Sequence, residues 1–208
     1  MAVGNYSELQ AAIADWLNRD DLTSVIKDFI ALAEAELTRT LRHRSMVTRS
    51  TATIDSEYSA TPGDWIQTVS LILETNPVRQ LEYVTNEALN GMKASSTATG
   101  VPTHYSHVGT EIQVHPRPDN TSTGYTGEIV YYAKIPVLSD SNTTNWLLTL
   151  APDIYLYGAL IQSAPYLRDD ERLATWASLY QKLIEDLYVS DQRTRGQTSV
   201  RMRTAALQ

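Results

Sequence analysis

The stretch GVPTHYSHVGTEIQVHPRPD, Gly100 to Asp119, predicts a compact β-hairpin set between two helical ends of the chain. Aromatic and β-branched residues favour a strand on each side of Gly109 and Thr110, and glycine in such a turn adopts a positive φ at no steric cost. Pro116 and Pro118 end the second strand, because proline lacks the N–H that a ladder needs. The hairpin carries no obvious chemistry, but it shows how the chain is organised.

Two helices are predicted before this hairpin. Apolar residues recur at three- and four-residue spacing over residues 6–18 and again over about 23–44. Asn5 or Ser7 caps the first helix, because their side chains accept hydrogen bonds from free N–H groups. The polar residues 19–21 join the two helices into an αα-hairpin.

Two further helices follow the β-rich part. Pro152 fits the first turn of a helix that is apolar nearly all round, and Gly158 within it predicts the close approach of another backbone. Pro165 interrupts this run, and Asp169 or Asp170 caps a final helix. The seam of the final helix is Leu173, Trp176, Tyr180, Leu183 and Leu187.

The central part of the chain favours strands. A turn is predicted over residues 61–64, and Thr85 is the expected cap of a short helix. Residues 65–73 are strand-like but ambiguous. The other strand-like runs are residues 46–54, 79–83 and 126–137.

The predicted fold class is therefore α+β. Helices in residues 1–45 and 145–191 pack as a bundle, and residues 46–144 form an inserted antiparallel β-rich region. Residues 192–208 lose the helical periodicity and form a flexible C-terminal tail.

Composition narrows the functional classes. The 208 residues contain no cysteine, so disulfides and thiolate metal sites are excluded. No apolar run is long enough for a transmembrane helix, and the first ten residues lack the features of a signal peptide. We expect no membrane association.

The charge is unevenly distributed along the chain. The net charge is −7, yet residues 192–208 contain four arginines and no acid, which leaves residues 1–191 with a net charge of −11. An acidic body argues against a main domain that binds nucleic acid, which normally shows a basic face. The basic tail has three interpretations: solubility or disorder, docking to an acidic protein groove, and direct phosphate contact. The four arginines are Arg193, Arg195, Arg201 and Arg203.

The histidines and serines predict no catalytic or metal site. His104 and His107 are three apart on a predicted strand, so they point to opposite faces and do not readily share a metal. Ser106 lies between them, but neighbours on one strand alternate faces, and a nucleophilic serine needs a sharp turn and an orienting acid. All four histidines, including His43 and His115, are expected to carry surface or half-buried imidazoles. We expect no catalytic residue, no cofactor and no metal.

Acidic and aromatic residues leave two alternatives open. Glu34 and Glu36 are two apart on a helix and do not share a face, so no specific carboxylate pair supports a cell-wall hydrolase, although that activity stays possible. Twelve tyrosines and four tryptophans against one phenylalanine suit subunit contacts or a carbohydrate-binding surface. For Trp16, Trp176 and Tyr180 we expect core packing.

Three stretches together resemble the head-to-tail adaptor proteins of tailed bacteriophages, which are also called connector or head-completion proteins. The first is ELQAAIADWLNRDDL with IKDFIALAEAELTRTLR, and the second is the hairpin with YYAKIPVLSDSNTTNWLL. The third is APDIYLYGAL with APYLRDDERLATWASLYQKLIEDL. The resemblance covers most of residues 5–195.

The resemblance implies a non-enzymatic structural virion protein. Such adaptors form a ring, typically of twelve copies, that joins the portal to the tail or nozzle proteins and extends the DNA channel. DNA would pass through without sequence-specific binding. The implied location is the head-tail junction of the virion, after assembly in the host cytoplasm. We expect the tail to dock on the portal through Arg193, Arg195, Arg201 and Arg203. The alternatives are a virion-associated cell-wall hydrolase and a carbohydrate-binding β-module.

Overall fold

A computed structural model describes residues 3–120, 122–167 and 172–195 of the chain. These residues form helices and two mainly antiparallel sheets, which confirms the α+β class. They divide into two compact units. The helical unit comprises residues 3–44 and 135–195, and the β unit comprises residues 45–134. Within the described ranges, none of the helices combines the length and the apolar character needed to cross a membrane.

The helical unit begins with the predicted αα-hairpin. Helix α1 spans Tyr6–Leu17, and the Asn5 side chain caps it by accepting a 2.9 Å hydrogen bond from the Glu8 N–H. Asn18 follows with a φ of 53°, a left-handed conformation that asparagine tolerates and that ends the helix. Helix α2 spans Thr23–Thr40.

Helix α2 ends four residues before the expected Arg44. Leu41 turns into an extended conformation and is buried, which carries the chain away from the helix axis. The Arg42 Nη1 donates hydrogen bonds to the carbonyls of Thr38 and Leu41, at 3.1 and 2.6 Å. The guanidinium therefore donates to carbonyls at the helix end, which backbone N–H groups would have reached if the helix had continued for another turn.

The second half of the helical unit contains three helices. Helix α4 spans Trp146–Leu150, α5 spans Pro152–Leu167 and α6 spans Leu173–Arg195. Helix α5 contacts α1, α2, α4 and α6, so the predicted bundle is confirmed. The expected interruption at Pro165 is wrong, because α5 continues for two residues and loses only one hydrogen bond in its last turn. The predicted caps Asp169 and Asp170 lie outside the described residues.

Close packing around α5 confirms most of the predicted helical core. A Cβ atom on Gly158 would lie 3.3 Å from the Ala33 Cβ and 3.4 Å from the Tyr180 ring, so a larger residue does not fit without displacement. Trp176 and Tyr180 are buried as expected. Trp16 is 44% exposed instead, and its ring packs edge-on against Tyr157 near the end of α1, with the ring centroids 5.6 Å apart.

The β unit contains two four-stranded sheets. The first sheet consists of β1 Val47–Ile54, β3 Trp65–Leu73, β4 Arg79–Gln80 and β8 Tyr125–Ala133. The second consists of β2 Tyr58–Ala60, β5 Glu82–Tyr83, β6 His104–Val108 and β7 Glu111–His115. The strand order is β1-β8-β3-β4 in the first sheet and β2-β7-β6-β5 in the second. Helix α3 spans Asn86–Ser95, and the Thr85 hydroxyl caps it as predicted.

The Gly100–Asp119 hairpin forms as predicted, with β6 paired to β7 from His104 opposite His115 to Val108 opposite Glu111. Gly109 takes a φ of 62° in the turn. The expected single strand at residues 79–83 divides into β4 and β5, which belong to different sheets on either side of the buried Leu81. Strand β8 ends at Ala133, four residues before the expected Val137. Its inward residues pack in the core of the β unit.

Candidate functional site

The end of helix α6 is held in place by Asp191, a carboxylate that is only 4% exposed. Its Oδ1 accepts a 3.3 Å hydrogen bond from the Arg44 backbone N–H and lies 3.6 Å from the His43 Nε2. The His43 ring stacks on Trp146 with the ring centroids 5.2 Å apart. The helix that leads into the C-terminal arginines is therefore anchored to the end of α2 and to α4.

The predicted arginine site begins two residues after this anchor. Arg193 lies on α6 and is exposed, and Arg195 is the last described residue of the same helix. Arg201 and Arg203 lie outside the described residues. The first part of the expected tail is thus helical, and Arg193 faces solvent from a fixed position.

A carboxylate that the sequence analysis considered only as half of a possible catalytic pair is buried and organises the helical unit. Glu34 is 4% exposed, and its Oε1 accepts hydrogen bonds from the Leu138 N–H at 2.9 Å and the Tyr155 hydroxyl at 3.1 Å. The Asn145 Nδ2 donates to the same Tyr155 oxygen at 2.6 Å. The network fixes the segment before α4 onto α2 and α5. Its signal in the sequence is an acid within the stripe from Ile30 to Leu37.

Burial controls the protonation of this network. Within the described part of the chain, the Glu34 Oε2 is buried and has no hydrogen-bond partner. Desolvation raises the pKa of Glu34, although the hydrogen bonds from Leu138 and Tyr155 oppose that change. Desolvation also raises the pKa of Tyr155, so this phenol stays protonated and donates to the carboxylate.

An aromatic cleft of about 420 Å³ lies in the β unit. The Trp65 Nε1 donates to the Thr68 hydroxyl at 3.0 Å, and that hydroxyl lies 3.0 Å from the His107 Nε2. Trp65 and His107 also face each other with ring centroids 4.6 Å apart. Burial lowers the pKa of His107, which favours the neutral imidazole. Tyr83, 57% exposed, and the buried Tyr105 complete the aromatic lining.

A family model for the SU10 adaptor protein matches residues 4–203. The chain belongs to the SU10 adaptor protein family. The suspected head-to-tail adaptor identity is thereby confirmed, and the protein is a structural adaptor protein of the phage virion. No curated protein matches the chain.

The remaining candidate residues of this SU10 adaptor protein are held in structural contacts. Ser106 is 1% exposed and therefore inaccessible to a substrate. The His104 Nδ1 lies 2.8 Å from the Thr103 hydroxyl, and its Nε2 lies 3.8 Å from the Glu82 carboxylate. Among the described residues, no three histidine or acidic side chains come together as a metal site would require.

Two further acids of this SU10 adaptor protein, Glu36 and Glu57, are likewise engaged within the fold. The Glu36 Oε2 accepts a 2.8 Å hydrogen bond from the Gln162 Nε2. Glu57, at a polar cleft, binds Lys93 and accepts a 2.7 Å hydrogen bond from Gln113. Burial raises the pKa of Glu57, but the contacts with Lys93 and Gln113 outweigh burial, so the pKa is lowered overall. A catalytic acid needs a raised pKa instead.

Proposed function

We propose that this SU10 adaptor protein forms a ring, typically of twelve copies, that joins the portal to the tail at the head-tail junction. The observation that carries the proposal is the family match, which spans almost the whole chain, including most of the basic segment at its end. The ring would extend the DNA channel and offer a platform to tail or nozzle proteins. Its role would be structural and non-enzymatic, after assembly in the host cytoplasm.

The charge distribution supports a channel through which DNA passes. Residues 1–191 carry a net charge of −11. Affinity for nucleic acid comes mainly from protein cations that neutralise the phosphates. An acidic surface repels the phosphates instead. A ring built from this acidic body would let DNA slide without sequence-specific binding.

The arginines provide the proposed portal contact. Arg193 is exposed on a helix whose end is anchored by Asp191, so its guanidinium starts from a defined position. Arginine binds carboxylates through two parallel hydrogen bonds, which gives both affinity and geometric specificity. We propose that Arg193, Arg195, Arg201 and Arg203 bind acidic groups of the portal.

Portal binding by full-length variants tests this proposal. Arg201→Gln with Arg203→Gln removes two tail cations, whereas Arg39→Gln with Arg79→Gln removes two exposed cations elsewhere. We expect the tail variant to weaken binding to purified portal at least tenfold and the control variant to bind like the parent chain. Equal binding by the two variants would contradict the proposal. Retained binding after all four tail arginines are changed would contradict it as well.

The aromatic cleft favours a second candidate function, the binding of glycans by the β unit. Aromatic faces such as Trp65 and Tyr83 can stack on sugar rings, and the cleft is about 420 Å³ in volume. Titration of cell-surface glycans onto the protein and onto Trp65→Ala tests this function. Saturable binding that the variant loses supports it, and absence of binding by the parent chain contradicts it. A zymogram on purified cell wall tests the hydrolase alternative separately.

A further inference from the structure

Two stretches of the chain are basic and contain no acid. Residues 37–54 contain four arginines, and residues 192–208 contain four more, yet neither stretch has an aspartate or a glutamate. The rest of the chain holds all 24 acids and only nine of the 17 basic residues. Both stretches are therefore local exceptions on an acidic chain, and the first of them lies far from the C-terminal segment.

The fold joins these two stretches at the end of α6, within the helical unit. The Asp191 Oδ1 accepts the 3.3 Å hydrogen bond from the Arg44 N–H. About one turn earlier on α6, the Tyr188 hydroxyl donates to the Thr40 carbonyl at 3.0 Å. Residues 40–44 therefore lie against the last turns of the helix that carries Arg193.

The side chains of Arg44 and Arg193 flank this helix end. The Arg44 Nε lies 4.0 Å from the Asp191 Oδ1, which is too far for a hydrogen bond, and the Arg44 side chain is 46% exposed. Arg193 is also exposed. It follows Asp191 by two residues, so it lies about 3 Å further along the helix and about 200° round it. A partner that covers the end of α6 can therefore reach a guanidinium on each side.

The other arginines of residues 37–54 are placed differently. Arg42 donates to carbonyls at the end of α2, and Arg49 binds Glu128 in the β unit. Arg39 is exposed about 200° round α2 from the buried Leu37, which places it on the outer side of that helix. Arg44 is thus the arginine of this stretch that stands beside α6.

We propose that Arg44 and Arg193 form one docking surface for carboxylates of the portal. The inference rests on the proposed portal-binding function and adds to it a residue outside the C-terminal segment. Each guanidinium can bind a carboxylate through two parallel hydrogen bonds, so two of them on separate elements set the orientation of a partner as well as its affinity. Asp191 is a positioning residue, because it holds the Arg44 backbone against α6.

The surrounding charge favours carboxylates over the phosphates of DNA. Binding to DNA without sequence preference needs several cations that follow the phosphate backbone. Outside the two basic stretches the chain carries a net charge of −15, so a long phosphate backbone would meet repulsion on either side of this surface. Carboxylates of a folded partner need only the two guanidinium groups.

Portal binding by full-length variants tests the role of Arg44. Arg44→Gln should weaken binding to purified portal at least fivefold. Lys182→Gln is the matched control, because it removes one exposed cation from α6 about 16 Å before Arg193, and it should bind like the parent chain. Equal binding by Arg44→Gln and the parent chain would overturn the inference and leave the proposed function of the C-terminal arginines standing.

A deca-glutamate peptide tests the same surface without the portal. The parent chain and Lys182→Gln should bind the peptide at least fivefold more tightly than Arg44→Gln combined with Arg193→Gln. Equal peptide binding by all three chains would overturn the surface, as would tighter binding of a random-sequence DNA duplex than of the peptide. This pattern with the peptide, together with no portal binding by the parent chain, would contradict the proposed function while the carboxylate-binding surface stands.

Two substitutions of Asp191 test its positioning role. Asp191→Asn keeps an oxygen acceptor for the Arg44 N–H, so it should bind the portal at least as tightly as the parent chain. Asp191→Ala removes the acceptor and should bind several-fold more weakly, with faster hydrogen exchange of the Arg44 amide. Loss of a negative charge alone would strengthen binding to an acidic partner, so tighter binding by Asp191→Ala would contradict the positioning role. Unchanged amide exchange in α5 verifies that both variants keep the fold.

Discussion

The helical unit and the β unit differ in where they place their polar groups: the first buries two carboxylates, and the second has an exposed strand edge. The helical unit buries the carboxylates of Glu34 and Asp191 and uses each to tie separate segments together. Among the described residues, the outer edge of the eight-residue strand β1 has no paired strand, and it lies beside an apolar cavity of the β unit. The helical unit therefore uses buried charge to hold its segments together, whereas the β unit has a sheet edge with which another strand can pair.

The largest expected effect is the contrast between the two cores. Leu37→Ala removes a fully buried side chain from the helical unit and should destabilise it by about 4 kcal/mol. Ile129→Ala, beside the existing cavity, should cost the β unit about 2 kcal/mol, because fewer contacts are lost there. Residue-resolved hydrogen exchange under denaturant measures each unit separately. The exposed Leu32 provides the control substitution Leu32→Ala, and a larger cost at Ile129 than at Leu37 would break the comparison.

Enlarging a side chain should have opposite signs in the two units. Gly158→Val forces atoms against Ala33 and Tyr180 and should cost about 2 kcal/mol. Ala52→Val extends into the cavity and should stabilise the β unit by about 0.5 kcal/mol. Denaturant midpoints of the two units report both changes. Destabilisation by Ala52→Val would show that the cavity has no room for a side chain.

The two units should also respond oppositely to pH. The folded-state pKa of Glu34 is raised from 4.5, so its contribution is fully present below pH 4.5 and is lost as the pH rises through the raised value. The folded-state pKa of His107 is lowered from 6.5, so its contribution is present above pH 6.5 and is lost as the pH falls through the lowered value. Each group changes stability by at most about 1.4 kcal/mol per pH unit.

Two variants isolate these pH effects. As the pH rises above 4.5, the helical unit of the Glu34→Gln variant should gain stability relative to the helical unit of the parent chain. As the pH falls below 6.5, the β unit of the His107→Gln variant should gain stability relative to the β unit of the parent chain. Unit-resolved hydrogen exchange across pH measures both differences. Parallel changes in the two units would contradict the assigned protonation of Glu34 or of His107.

The most local expected effect is confined to helix α3. Thr85→Ala removes the hydroxyl that accepts the Ala88 N–H and should destabilise this helix by about 1 kcal/mol. Thr85→Ser keeps the hydroxyl and should restore most of that stability. Faster amide exchange in α3 alone is the expected readout, and an equal loss in the helical unit would contradict the division into two units.

Local patterns predicted the elements whose causes are local. Asn5 caps α1, Thr85 caps α3 and Gly109 forms the hairpin turn, because each depends on residues within a few positions. Distant contacts account for most of the rest. Burial of Glu34 depends on a hydrogen bond from the Leu138 N–H, 104 residues away. Residues 79–83 divide into two strands because β4 pairs with β3 in one sheet and β5 pairs with β6 in the other.

The candidate sites also differ in how far the sequence predicted them. The charge pattern predicted the arginine site, which stays a prediction; of its residues, Arg193 is exposed. The cavity beside β1 was invisible in the sequence, because it arises from small residues on three separated strands, such as Ala52, Ala60 and Gly127. The packing of Trp16 likewise involves a distant residue, Tyr157, which contacts its ring from another helix.

Electron microscopy of purified portal mixed with the full-length protein tests the central claim, that this adaptor assembles as a ring on the portal. The account predicts added ring density of defined symmetry beneath the portal, which disappears when Arg193, Arg195, Arg201 and Arg203 are all changed to Gln. The matched control, Arg39→Gln with Arg79→Gln, should assemble like the parent chain. Bare portal after mixing with the parent chain, or unchanged rings with the four-arginine variant, would contradict the account.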